Sequence, residues 1–235
     1  MREAGGRAAH TTLAKWAKTF IVVALLFVIL RAFLVDTFIV TSDSMENTLQ
    51  MGDMFVVNRA AMGSRIPFTS VRIPGYGEPH RGDVLVFDPP PSNFLSVELV
   101  KRLIGMPGDT LEMRNRVVYV DGKAQDEPYV HHTDVRDERH FWMEWQKKYL
   151  LPGVDPHTYS PTRDNWGPLV VPDGRYFMMG DNREASLDSR YWGPVGRSRL
   201  RGRAVSVYFS YKRQSHGLFP WLTQIRWGRI GESIH

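Results

Sequence analysis

Cysteine is absent from the 235 residues, which excludes a disulfide scaffold, a thiol nucleophile and any zinc site built on thiolates. Long amphipathic helical patterns are missing too, as are internal repeats and low-complexity tracts. No G-x-S-x-G occurs, and the eight histidines stand in no local context of a serine–histidine triad. Nor does one sign of charge dominate. The 30 basic and 25 acidic residues leave a net +5, which favours an anionic surface, phospholipid or nucleic acid, without choosing between them. What is present is ordinary for a folded chain: 43% hydrophobic and 23% charged residues exclude a disordered or collagen-like protein. At roughly 150 residues per domain, the length fits one large domain with appendages.

The longest apolar run lies near the amino end. Residues 20–30 read FIVVALLFVIL, and residues 32–35 continue apolar after Arg31. At about 1.5 Å per residue these sixteen positions span roughly 24 Å, against a hydrocarbon core of about 30 Å. Arg31 can snorkel toward head groups, and Phe38, Ile39 and Val40 extend the apolar surface past Asp36, so the segment 19–35 reads as one transmembrane helix. A cleaved signal peptide shares the pattern of positive residues before an apolar stretch, but no small-residue cleavage site follows. Arg2, Arg7, Lys15 and Lys18 precede the run with Glu3 as the single acid, and after Arg31 no basic residue occurs until Arg59. The positive-inside rule then leaves residues 1–18 cytoplasmic and carries residues 36–235 across the membrane.

Beyond the anchor, short apolar runs at 54–57, 84–87, 117–120 and 205–211 are broken by Gly, Pro and Asp, as strands are. Asp121-Gly122 after VVYV is a tight-turn pair. The expected fold is mainly β, an antiparallel sheet of short strands and not alternating βαβ units. Residues of about 112–175 read as an insertion, with the composition shift most marked over 125–173: the polar HHTDVRDERH, then LPGVDPHTYSP and WGP. His131, His132, Asp134, Asp137 and His140 are metal-ligand types in a spacing that fits no known site, so this block reads as a solvated loop and no metal or other cofactor is expected.

Three polar segments carry residues able to do chemistry. Ser42 and Ser44 lie in TSDSMENTL; serines in such a place alone are caps or turn residues. In SVELVKRLIGMPGD the period of two puts Lys101 on one face with Val97, Leu99 and Leu103, and Arg102 on the other with Glu98, Val100 and Ile104. Burial of the first face would depress the lysine pKa and make it a general base; a lysine snorkelling off a strand edge would stay charged. The third segment, GDNREASLDSR at 180–190, alternates in charge. By itself it is a surface salt-bridge loop, and it is no calcium loop, because Ser186 stands where an EF-hand requires glycine.

Together and in this order behind an amino-terminal apolar segment, these motifs resemble those of bacterial type I signal peptidases (leader peptidases, peptidase family S26), the membrane-bound serine endopeptidases that remove signal peptides from exported preproteins. SDSMENTL resembles the nucleophile box S-x-S-M-x-P-T-L, RGDVLVF the G-D-x-x-x-F strand, VKRLIGMPGD the lysine box, and GDNREASLDSR the form G-D-N-R-D-N-S-x-D-S-R. The resemblance implies an antiparallel β-sheet catalytic domain with Ser44 as nucleophile and Lys101 as general base. It further implies an oxyanion hole of the Ser42 hydroxyl and the Ser44 N–H, and Ser186 as the residue that orients Lys101. Asp181 with Arg102, and Asp188 with Arg190, would be structural pairs beside this dyad. No histidine is then required, and replacing any single one should leave cleavage intact.

Three departures stand out. Asn47 occupies the place usual for proline, which loosens the turn after the nucleophile, and Glu184 and Ala185 replace an Asp-Asn pair. The implied location is the bacterial inner membrane, single-pass, with preprotein signal peptides and the phospholipid bilayer as partners and no nucleic acid. Ser44 is nine residues past Val35, at most about 30 Å of chain, so the site would lie at the membrane face, where an A-x-A cleavage site also falls. Phe219, Trp221 and Trp227 beside Arg226 and Arg229 suit a membrane interface and equally suit packing on a β core. Arg197, Arg199, Arg201 and Arg203 alternate as a basic stripe on one strand face would. The rival readings are a self-cleaving repressor of similar dyad chemistry, a tethered β domain that binds without catalysis, and a degenerate paralogue.

Overall fold

The computed structural model describes residues 15–28, 34–65, 71–91, 97–213 and 219–235. Residues 15–28 form helix α1, whose side chains are all exposed. Among the described residues no helix is long and apolar enough to cross a membrane. The expected span 19–35 falls in part outside them, at 29–33, and its last residue belongs to another element. Val35 opens strand β1 (Val35–Ile39) and pairs with Asn58.

The strands then follow in short pieces: β2 (Asp53–Asn58), β3 (Gly63–Arg65), β4 (Arg72–Pro74), β5 (Val84–Phe87), β6 (Leu99–Gly105), β7 (Thr110–Arg114), β8 (Val117–Val120), β9 (Lys123–Ala124), β10 (Trp166–Val170), β11 (Arg175–Met179), β12 (Val195–Gly196) and β13 (Leu200–Ser210). All the described ladders are antiparallel. One sheet has the order β1-β2-β13-β5-β6-β11-β12, a second β10-β7-β8-β9, and β3 pairs with β4. The β8–β9 hairpin turns at Asp121 and Gly122 with φ of +50° and +75°, as an Asp-Gly pair permits. The second sheet holds much of the stretch read as an insertion. Between its strands, a 3-10 helix (Phe141–Lys148) packs on the short α2 (Ser189–Trp192), and the Trp145 and Gln146 side chains both donate to the Arg190 carbonyl, at 3.1 and 2.9 Å.

Strand alternation splits the core in two. On β5, Leu85 and Phe87 join a cluster with Leu103, Phe177 and Trp166, while Val84 and Val86 join Met45, Leu49, Phe55, Val57 and Val207. Successive side chains leave opposite faces, so a strand between two clusters is apolar at every position and buried throughout.

Two expectations are corrected here. Arg197 and Arg199 lie in a 3-10 turn ahead of β13, and only Arg201 and Arg203 lie on that strand. Each of the four is engaged: Arg197 with Glu78, Arg199 with the Pro89 carbonyl, Arg201 with Asp88 and Arg203 with Asp83, so no free basic stripe forms. Phe219, Trp221 and Trp227 are exposed and do not pack into the β core. What anchors their neighbourhood is Asp53, fully buried on β2, which accepts hydrogen bonds from Ser210, Arg226 and Arg229.

Candidate active site

The turn between β1 and β2 is held by its apolar members. Met45 and Leu49 are fully buried in the second cluster, and the N–H groups of Thr48 and Leu49 both return to the Met45 carbonyl, at 3.1 and 2.7 Å. This leaves Ser44 buried at the head of the turn and Ser42 exposed beside it, their hydroxyls 3.3 Å apart. The Ser44 N–H donates to no carbonyl among the described residues.

Strand β6 brings Lys101 and Arg102 to the same turn. The Lys101 amine donates to Ser44 Oγ in a tight contact. Burial pushes the Lys101 pKa down from 10.5 to about 8, with Arg190 acting in the same sense and the carboxylates of Asp188 and Asp181 opposing. Arg102, equally buried, forms a fork with Asp181 at 2.9 and 2.8 Å and donates to Thr48 Oγ1 at 3.0 Å, while Thr48 Oγ1 donates to Asp181 Oδ2 at 2.5 Å. The Tyr129 ring covers the Arg102 guanidinium at 3.8 Å.

The loop after β11 closes the other side. Its Asn182 N–H donates to the Ser44 carbonyl at 3.2 Å. Asp188 accepts from the Gly180 N–H at 3.1 Å and pairs with Arg190 at 2.8 Å. Burial would raise the Asp188 carboxyl, but the Arg190 charge and hydrogen bonds outweigh it and hold that carboxyl below the ordinary range. Ser186 lies on the same loop. Its hydroxyl is buried but makes no hydrogen bond to Lys101. It lies over Gly180, where a Cβ would meet it at 2.3 Å, and the reach of the lysine is spent on Ser44.

The departures at 47 and 184 are not loose ends. Asn47 has φ of +91°, a conformation closed to proline, whose ring fixes φ near −65°, and its amide donates to the Tyr129 carbonyl at 3.1 Å. Glu184 accepts the Thr133 N–H at 2.8 Å and faces His132 Nδ1 at 2.8 Å. The HHTDVRDERH block is therefore partly docked on this loop, not merely solvated. Thr48, Glu127, Tyr129 and His132 are contributors that sequence reading passes over. Thr48 sits inside the serine-containing segment and could have been found there; His132 falls in the block read as a solvated loop, and Glu127 and Tyr129 have no local signal.

Ser44 and Lys101 open on an apolar cleft of about 180 Å³ lined by Ile39, Val86, Val97 and Leu99 among others. Among the described residues no group of three or more His, Asp or Glu side chains is arranged to hold a metal. A buried base touching a hydroxyl at the head of such a cleft can take the hydroxyl proton as its oxygen attacks an electrophilic carbon, which makes the serine a nucleophile.

The family profile described as "Signal peptidase, peptidase S26" matches residues 13–209. Signal peptidase I of Pseudomonas aeruginosa is 32% identical, over 85% of this chain and 73% of its own. Signal peptidase I of Bacillus licheniformis is 34% identical over 85% and 90%, and Signal peptidase I S of Bacillus subtilis 33% over 85% and 91%.

Proposed function

Since the chain belongs to the signal peptidase family, peptidase S26, we propose that Ser44 and Lys101 are the nucleophile and general base with which it cleaves. The activity is that of a serine peptidase hydrolysing signal peptides from preproteins. The observation that carries the assignment is the buried Lys101 amine, with its pKa near 8, bonded to Ser44 Oγ. In the amine form Lys101 takes the proton as Ser44 Oγ attacks the scissile carbonyl carbon. The Ser42 hydroxyl and the Ser44 N–H receive the charge that develops on the oxygen. Lys101, now an ammonium, protonates the departing amine of the mature protein. It then serves as base again for the water that hydrolyses the acyl-enzyme. The cleft beside Ser44 takes the small side chains before the cut. Arg102 with Asp181, and Asp188 with Arg190, hold the two walls.

Residues 19–35 anchor the chain in the bacterial inner membrane, with 1–18 cytoplasmic and the catalytic domain from about residue 36 on the far side, where the bilayer and the preprotein meet it. The charge asymmetry across the apolar run and the exposed apolar side chains of α1 support this, and the final position, Val35, lies at the start of β1.

The test is cleavage of a preprotein with an A-x-A site by the detergent-purified full chain. Ser44→Ala and Lys101→Met are each expected to lose on the order of a thousandfold or more in kcat while keeping their circular dichroism. Normal cutting by either folded variant would sink the assignment.

A further inference from the structure

We propose that residues 127–133 brace the catalytic turn and loop, with Asn47, His132 and Glu184 as the positioning residues through which they act. This rests on the reading of Ser44 and Lys101 as the catalytic pair. The loop 181–186 reads DNREAS and has almost no apolar surface with which to pack, so polar contacts must fix it. Residues 127–133 supply them. The His131 N–H donates to the Asp181 carbonyl at 2.8 Å and the Arg183 N–H returns to the His131 carbonyl at 3.1 Å, a short strand-like bridge. The buried Arg183 guanidinium forks onto Glu127 at 2.6 and 3.1 Å. Glu184, its side chain only 3% exposed, is held by the Thr133 N–H and His132.

The same segment grips the other wall. Its Tyr129 carbonyl receives the Asn47 amide, and its Tyr129 ring lies on Arg102. Asn182, accepting from Thr133 Oγ1, donates to Glu46, which links loop to turn directly. Two of the three departures from the family boxes are thus attachment points of this brace. The φ of +91° at Asn47 is one that a proline ring cannot adopt, and the turn is tied down instead by the hydrogen bond from the Asn47 amide to the Tyr129 carbonyl. Displacement of a catalytic group by about 1 Å can cost on the order of a hundredfold in rate, so a turn held this way depends on its holder.

The cleft that receives substrate is lined by residues of 38–44, 86 and 97–101 and by nothing from 127–133. Loosening the brace should therefore lower kcat and leave KM alone. In the full chain, Glu184→Ala is expected to lose about tenfold in kcat, the loss of a hydrogen bond to a charged group, and His132→Ala somewhat less, so the histidines are not all dispensable. Glu184→Gln keeps an acceptor for the Thr133 N–H and should recover most of the rate. Asn47→Gly keeps the φ, deletes only the amide at an exposed site, and should lose about threefold. Because both changes remove one brace, Asn47→Gly with Glu184→Ala should lose less than the product of the two. Should Glu184→Ala fail to fold, Asn47→Gly decides. Unchanged kcat in the folded variants, or a raised KM at constant kcat, would overturn the proposal. Ser44→Ala and Lys101→Met run alongside: if either cuts normally, the catalytic pair is wrong; if both are dead and the brace variants match wild type, only the brace is wrong.

Discussion

At Lys101 one side chain meets two demands with opposite consequences. Below a pH of about 8 the amine is protonated and cannot accept the Ser44 proton, so kcat/KM should rise about tenfold per pH unit toward that value and level off above it. A profile flat from pH 6 to 9 would contradict this. Stability runs the other way for the enzyme as a folded object. The folded pKa near 8 lies below the ordinary 10.5, so the unfolded chain binds the extra proton between those values and stability rises with pH across that window. Below it the penalty is complete. Lys101→Met should therefore unfold at a higher temperature at pH 7, by at most about 3 kcal/mol at roughly 1.4 kcal/mol per pH unit, and the advantage should shrink as pH climbs from 8 to 10.5. Melts at pH 7 and pH 10 check it. At Asn47, restoring the proline of the family pattern should harm this chain: with φ at +91°, Asn47→Pro should lower both activity and melting temperature, and Asn47→Gly should leave the melting temperature near wild type. The residue types at 44 and 101 were readable as a pair only through the order of the boxes around them. That Asn47 has a hydrogen-bond partner outside its turn could not be read, because that partner, the Tyr129 carbonyl, is 82 positions away.

Among the elements, strands were the most legible. Both DMFVVN and VLVF hold apolar runs of strand length; burial alternates along the first, which faces one cluster, and is complete along the second, which separates two. The excess arginines before β13 misled, since an alternating sequence says nothing of where a turn interrupts the strand. Two junctions between elements deserve measurement. Gly180 follows β11 under the serine turn, and a Cβ there would come within 2.5 Å of the Ser44 carbonyl oxygen. Gly180→Ala must therefore shift the nucleophile, and loss of turnover is expected even where circular dichroism stays native. Asp53 ties β2 to β13 and to residues 226–229. Asp53→Ala strands two arginines around an empty site and should cost about 3 kcal/mol in denaturant unfolding, with activity falling too, since Arg229 also donates to the Thr48 carbonyl at 2.8 Å.

For the molecule as a whole, the membrane assignment predicts that the full chain sediments with membranes and resists carbonate extraction, with residues 36–235 open to protease only from the extracytoplasmic side; recovery in the soluble fraction would refute it. The Ser44 turn, meanwhile, is held by parts of the chain that are made at very different times. Ser44 waits 57 positions for Lys101, and the Asp181 that Arg102 grips comes 79 positions after it. Thr48 waits 181 positions for Arg229, and the His235 carbonyl that also engages Arg102 arrives later still. Synthesis runs from the amino end, and contacts so far apart in sequence close late. If Ser44 and Lys101 are the catalytic pair, a nascent copy should stay inactive at least until the residues around 181–190 and 229 have been made, a delay built into the topology of the fold.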